Sequence, residues 1–360
     1  PSADRIAAVH APRRSLRAMI ARSFSGLPRQ GLRAGGVLLS LLVLVLVLAC
    51  LRAGMGARPI APATILEAII AHDPDNFEHQ VVIRLRLARV LGAIMTGAAL
   101  GLSGLILQSL LRNPLGEPHV LGLNAGAGLA VVIAVSLPVT MQPSGLALPL
   151  MAAGGAGAVF ALVLILASAG RTGMTLAKVT FCGIAMSAMA SSISSTILIL
   201  NEETLQQMRY WLVGDLAGVT YATLQAALPL MLVATLAALW LGPVLNVLAL
   251  GDASAAALGV PVRRVRMIGL AATALLCGAA VSIAGPIGFV GLVVPAIARR
   301  LAKGNLALSM PYSALLAAAL LLAADIAAGS LGGNRELATG IMTALVGAPV
   351  FVVIVARLVR

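Results

Sequence analysis

Few residues in this 360-residue chain could do chemistry, and their spacing narrows what that chemistry is. The four histidines, His10, His72, His79 and His119, all lie outside the apolar runs. The stretch from His72 to His79, with Asp73, Asp75 and Glu78 between, has the residue types of a metal clamp. Its Pro and Asp content equally makes a solvated turn. Cys50, Cys182 and Cys277 sit in separate apolar stretches with no CxxC, so neither a disulfide framework nor a zinc site is expected. No Ser-His-Asp or paired-carboxylate arrangement stands within the apolar runs, so no catalytic residue, bound metal or resident cofactor is expected. A phosphate-cradling loop needs a lysine between Gly and Ser or Thr. The two lysines, Lys178 and Lys303, each follow an alanine, so ATP and its Mg belong to another subunit. Asp325 lies inside an apolar run, where an ionisable group is costly and persists for function. A proton relay would use it. With no partner on another run, the plainer expectation is a carboxylate satisfied by a neighbouring helix end.

The elements that must carry these residues follow from composition. The chain is 60% hydrophobic and 10% charged, where soluble proteins carry about 25% charge. So few charges cannot cover a soluble surface. Aromatics are only 3% while glycine reaches 37 residues, so the apolar mass is small and aliphatic, which lets helices approach closely in lipid. The fold class is all-α and polytopic. A span needs about 20 apolar residues. Runs near 35–51, 87–110, 119–137, 145–168, 177–200, 222–242, 265–284, 287–302, 311–331 and 337–357 give ten candidates. The eighth is short, and one bent span through Gly285-Pro286 is the alternative there. Residues 1–34 read as a basic leader and 35–360 as one membrane domain.

A net charge of +13 would suggest nucleic acid in a soluble protein. Here it marks orientation instead. With the N-terminus in the cytoplasm and ten alternating spans, the inner side holds 18 of the 25 basic residues with three acids. The outer side holds seven basic and eight acidic residues. Basic loops stay inside, so both termini are expected in the cytoplasm and no nucleic-acid partner is expected.

Three segments exceed what a lipid-facing helix needs. Arg84, Arg86 and Arg89 cluster on the side otherwise poor in positive charge, which an external acidic partner would explain. The helix they lead into carries Gly97, Gly101 and Gly104 on one face, suited to close packing. Leu250-Gly251-Asp252-Ala253-Ser254-Ala255-Ala256-Ala257-Leu258-Gly259-Val260-Pro261 reads as a very short cytoplasmic helix, with Asp252 as N-cap and Gly259 as its stop. Alone it is marginal, so it packs on its own chain or docks into a partner. The fifth run gathers Met186, Met189, Ser191, Ser192, Ser194, Ser195 and Thr196 without charge. Either its hydroxyls bond helix carbonyls, or they line a path for a large, mostly apolar solute.

At these residues the chain resembles the FecCD-type permeases, subunits of bacterial type II ABC importers for ferric siderophores, haem and cobalamin. Arg86-Leu-Ala-Arg89 looks like the family's R-L-P-R. Gly97 to Gly104, Gln108, Arg112-Asn-Pro-Leu-Gly-Glu-Pro118 and Leu121-Gly122 follow its order. Tyr210-Trp211-Leu-Val-Gly214, Gly285-Pro-Ile-Gly-Phe-Val-Gly-Leu-Val-Val-Pro295 with Arg299, Glu336-Leu-Ala-Thr-Gly340 and Gly347-Ala-Pro349 complete the match. The resemblance runs from about residue 35 to the C-terminus. It implies ten helices per subunit, a homodimer or close heterodimer in the bacterial inner membrane, and a path along the dimer interface. It also implies two cytoplasmic ATPase subunits and a periplasmic binding protein. By the same resemblance the segment from Leu250 to Gly259 couples to the ATPase, and Arg86 and Arg89 dock the binding protein. Ala328-Gly329 replaces an Ala-Arg of the family, and Arg335 stands in for that missing arginine. Ala296 and Asn305-Leu-Ala replace a common His and a common D-H-R. The cargo expected is haem or a ferric siderophore, with cobalamin second. An ion-coupled carrier centred on Asp325 and a structural scaffold are the competing classes.

Overall fold

The computed structural model describes residues 27–56, 58–141, 147–169, 175–209, 211–331 and 337–358. The chain falls into two units, Pro1–Ser40 and Leu41–Arg360. The described part of the first is the opening of a helix, in which the Ser40 hydroxyl donates to the Gly36 carbonyl at 2.9 Å.

Every regular element among the described residues is helical. In chain order these are α1 (Leu27–Gly54), α2 (Pro62–Ile70), α3 (Phe77–Val81), α4 (Leu87–Leu111), α5 (Leu123–Ser136), α6 (Ala147–Ser168) and α7 (Leu176–Leu200). They continue with α8 (Glu202–Met208), α9 (Tyr221–Leu248), α10 (Asp252–Ala257), α11 (Val262–Ala284), α12 (Val290–Leu301), α13 (Leu306–Leu331) and α14 (Thr339–Leu358). Among the described residues, seven helices are long and apolar enough to cross a membrane, and Leu123–Ser136 and Thr339–Val352 are apolar but shorter.

Helix α4 is the hub. It packs against α13, α11, α12 and α9, while α5, α6 and α7 form a second group joined to it through α11. The apolar window of the helix ending at Leu111 is 78% buried, against 11% for the first span, so α4 is central while most of α1 is exposed. Small residues make this possible. A methyl group at Gly97 would lie 2.6 Å from the Ala317 carbonyl oxygen, and one at Gly101 2.5 Å from that of Ser313. Gly104 meets the backbone of Gly291 closer still. The expected glycine face therefore packs, and it does so against two neighbours. The Ser313 hydroxyl donates to the Gly101 carbonyl across the contact at 2.7 Å.

The eighth expected run, 287–302, is helical from Val290 to Leu301. At about 1.5 Å per residue, the 12 residues of α12 cannot cross a core about 30 Å thick. Helix α11 stops where Gly285 takes φ 70°, and Phe289 takes φ 67° before α12 begins. The bent-span alternative gives way to a break with an irregular linker. Bare backbone at membrane depth survives only where protein satisfies it. The Phe289 N–H donates to Glu117 Oε1 at 3.0 Å, and the Ala284 carbonyl accepts from the Asp215 N–H at 2.9 Å. Glu117 thus turns its carboxylate onto the start of a broken helix, where negative charge is favoured.

Gly104→Val should destabilise the protein by the upper part of the ~1–3 kcal/mol range for overpacking, because backbone, not a flexible side chain, blocks the new atoms. Gly157→Ala, on a face with nothing within 4 Å, should be neutral or mildly stabilising. Thermal unfolding of the detergent-purified variants reads both.

Candidate functional site

The outer arginines are placed by an irregularity in the helix. Between α3 and α4 the backbone runs as a π-helix over Val82–Arg86. Such turns re-phase the side chains that follow and recur at functional sites. Arg84 is left exposed while Arg86 turns in. The Arg86 guanidinium donates to the carbonyls of Ala53 at 2.8 Å and Gly54 at 2.9 Å, and to that of Arg58. It caps the C-terminal end of α1 with a cation, the sign that end prefers.

Asp325, fully buried in α13, is the centre of the outer cluster. It accepts from Arg52 Nε on α1. It also accepts from Arg89 Nε at 3.0 Å and Nη2 at 2.9 Å on α4, and from the Thr339 hydroxyl at 2.7 Å at the start of α14. The expectation that this carboxylate lacks a partner on another span is corrected: two guanidiniums and a hydroxyl from three other helices surround it. Arg52 was passed over by sequence. Its signal was available, since it is a basic residue in the last turn of the first apolar helix. Of the basic residues that the sequence assigns to the outer side, Arg58, 4.0 Å from Glu78, Arg84 and Arg209 are exposed among the described residues. Arg335 lies outside the described residues.

The segment from His72 to His79 is a turn. Asp75 N–H donates to Asp73 Oδ1, the Asn76 side chain caps α3, and His79 Nδ1 accepts from the Asp73 N–H at 3.1 Å. The two imidazoles stack with centroids 6.3 Å apart.

At the inner end, Gly251 takes φ 111° and occupies the N-cap of α10, with Asp252 one position inside. The expected Asp252 cap is corrected. Its carboxylate is drawn instead to Arg112 Nη2 at 2.6 Å and Arg266 Nη2 at 2.7 Å. Gly259, at φ 82°, ends the helix, and the Val260 N–H returns to the Ala255 carbonyl at 2.9 Å. Ala255 is the buried side of α10, while Leu250 and Leu258 are 67% and 65% exposed and Ala253 and Ser254 are exposed beside them. Near the same end, Gln108 donates to the Gly291 and Leu292 carbonyls at 3.1 Å and accepts from Arg299, which fastens α4 to α12.

On α7, Met189, Ser191, Ser192 and Ser195 are exposed together. Met186 is not brought to that face. It is buried in the core, because its position turns it inward beside Val179 and Ala190. Part of the polar run serves the helix itself: the Ser194 and Thr196 hydroxyls donate to the Ala190 and Ser192 carbonyls.

A model of the FecCD transport family matches residues 42–357. The chain belongs to the FecCD transport family. It is 36% identical over 321 residues to the ferric enterobactin permease FepD of Escherichia coli K12, covering 89% of this chain and 95% of that one. It is 35% identical over 319 residues to the hemin permease HmuU of Yersinia pestis, covering 88% and 94%. It is 38% identical over 288 residues to the vitamin B12 permease BtuC of Vibrio cholerae, covering 78% and 84%. A solved metal-chelate type ABC transporter in an inward-facing conformation superposes with a TM-score of 0.78 at 28% identity, covering 90% of this chain and 99% of that one. The FecCD match spans both ends of α4, the outer arginine cluster and the inner short helix alike.

Asp325→Asn would leave two buried guanidiniums without a counter-charge, and such a break costs about 3–5 kcal/mol. Arg52→Gln leaves a one-to-one Arg89–Asp325 pair and should cost less. Thermal melts of the two variants in detergent should keep that order.

Proposed function

We propose that this FecCD-family chain is the permease subunit of an ABC importer that moves an iron chelate, haem or a ferric siderophore, across the bacterial inner membrane. The observation that carries this is α10: a helix too short to stand alone, packed by Ala255, with Leu250 and Leu258 facing outward. Exposed leucines on a short basic-flanked helix suit an apolar cleft on a cytoplasmic ATPase. The N- and C-termini lie on that same side, where basic loops gather.

Two copies of the chain form the transporter. The faces of α7 that carry Met189, Ser191, Ser192 and Ser195 line the path between them. These are hydroxyl and thioether groups, which wet a bulky chelate without gripping its metal. Release therefore needs no ligand exchange. ATP binding and hydrolysis on the partner subunits switch the cavity between sides, because they favour one of two arrangements of the permease.

A periplasmic binding protein docks at the outer end of α4. Arg58 and Arg84 supply the exposed positive surface there, with Arg86 and Arg89 behind it, and Arg335 is the further docking arginine the family resemblance suggests. Cobalamin is the second cargo, favoured by the 38% identity to the Vibrio cholerae vitamin B12 permease. An ion-coupled carrier is disfavoured, since the carboxylate it would use is held by two guanidiniums.

Leu250→Glu with Leu258→Glu should insert normally and lower ATP-driven uptake by about tenfold or more, the scale of ordinary coupling between sites. Uptake of labelled ferric siderophore, haem and cobalamin by vesicles carrying the reconstituted importer measures both the coupling and the cargo. Unchanged uptake in the double variant would remove α10 from the mechanism.

A further inference from the structure

Arg112 is a residue in the wrong conformation for its type. It closes α4 at φ 49°, ψ 34°, the left-handed region where glycine is the usual occupant. An arginine there accepts backbone strain that a glycine would avoid. What the arginine gains is reach: its Nη2 donates to the Leu248 carbonyl at the end of α9 at 2.8 Å and to Asp252 Oδ1 at 2.6 Å. The other oxygen of Asp252 accepts from Arg266 on α11 at 2.7 Å. One carboxylate on α10 is therefore shared between the inner ends of two long helices.

Both of those helices run to the outer side. Helix α4 ends there at Arg89, which holds Asp325 on α13 and through it Thr339 on α14. Helix α11 ends at Ala284, whose carbonyl takes the Asp215 N–H, and the neighbouring Gly214 carbonyl takes the Gly340 N–H of α14. Two separate routes thus connect α10 to the first residues of α14.

Stability does not explain the inner contacts. The side chains of Arg112 and Asp252 are 42% and 45% exposed, and ion pairs so exposed add little to folding. Orientation does explain them, because a six-residue helix has no stable direction of its own.

We propose that Arg112 and Arg266 are positioning residues that grip Asp252 from two sides, so that movement of α10 becomes movement of α4 and α11 together. This rests on the reading of α10 as the ATPase-coupling segment. The grip acts after docking: it does not hold the ATPase, and it sets how much cargo moves for each ATP spent.

The test uses the full importer, permease with its ATPase and binding protein, in proteoliposomes. Cargo moved per ATP hydrolysed and ATPase co-purified with the permease are measured side by side. Arg112→Gly suits the left-handed backbone and removes the side chain with its bonds to Leu248 and Asp252. It should retain the ATPase at the wild-type ratio while cargo per ATP falls about tenfold or more, within the usual span of site-to-site coupling. Asp252→Asn should do the same. The double variant should be no worse than Asp252→Asn alone, because that change already removes the Arg112–Asp252 pair. Arg112→Lys should recover part of the loss.

Cargo per ATP within twofold of wild type in Arg112→Gly, or losses that add in the double variant, would overturn the proposal. Loss of ATPase from the Arg112→Gly complex would also overturn it, by making the contact one of docking. Should Arg112→Gly fail to insert, Asp252→Asn, which leaves the end of α4 untouched, decides by the same measurements. If the wild-type permease itself binds no ATPase, it is the reading of α10 that fails and not the grip.

Discussion

Lipid offers no partner to a charge or a bare peptide group, so each one in this fold must be matched by the chain itself. Asp325 is the sharpest case. A carboxylate inside α13 is tolerable only because Arg52, Arg89 and Thr339 converge on it from α1, α4 and α14. That requirement fixes four helices relative to one another at the outer end of the molecule. Buried pairs of this kind contribute less to stability than to a defined arrangement, since desolvation offsets most of the attraction.

The same rule shapes the middle. The break between α11 and α12 exposes peptide groups that would be intolerable against lipid. Glu117 and the loop at Gly214 and Asp215 meet them. Helix α4 can serve as the hub because glycine at 97, 101 and 104 removes the side chains that would hold α13 and α12 away. A helix gripped by neighbours along its length moves as a body. The Asp325 cluster and the contacts at Arg112 are then two ends of one rigid element, and in the proposed orientation that links events on opposite sides of a membrane.

Much of this was legible in the sequence, and the parts that were not share a cause. Apolar runs bounded by charge locate the long helices, since length and hydropathy are local properties, although α1, α9 and α13 each run five to eight residues past one end of their expected run. The glycine face of α4 was equally visible. The short eighth run was visible too, but the non-helical linker that precedes α12 was not, because an extended apolar stretch and an apolar helix have the same hydropathy, and only the positive φ of Gly285 and Phe289 separates them. The partners of Asp325 lie 273 and 236 positions away, beyond any spacing rule. Met186 and Met189 are equivalent by pattern because apolar and polar residues are spread around α7 without one apolar face, so its buried side is chosen by neighbours. Asp252 was read as a cap from a local rule. Two distant arginines outcompeted the backbone for its carboxylate.

The proposed function makes the chain a gate whose engine is a separate subunit. Reconstitution tests this most directly: vesicles containing the permease alone, and vesicles containing it with its ATPase subunit and ATP, are compared for accumulation of a labelled iron chelate against its gradient. The account predicts accumulation only in the second set. Uphill accumulation by the permease alone would contradict it.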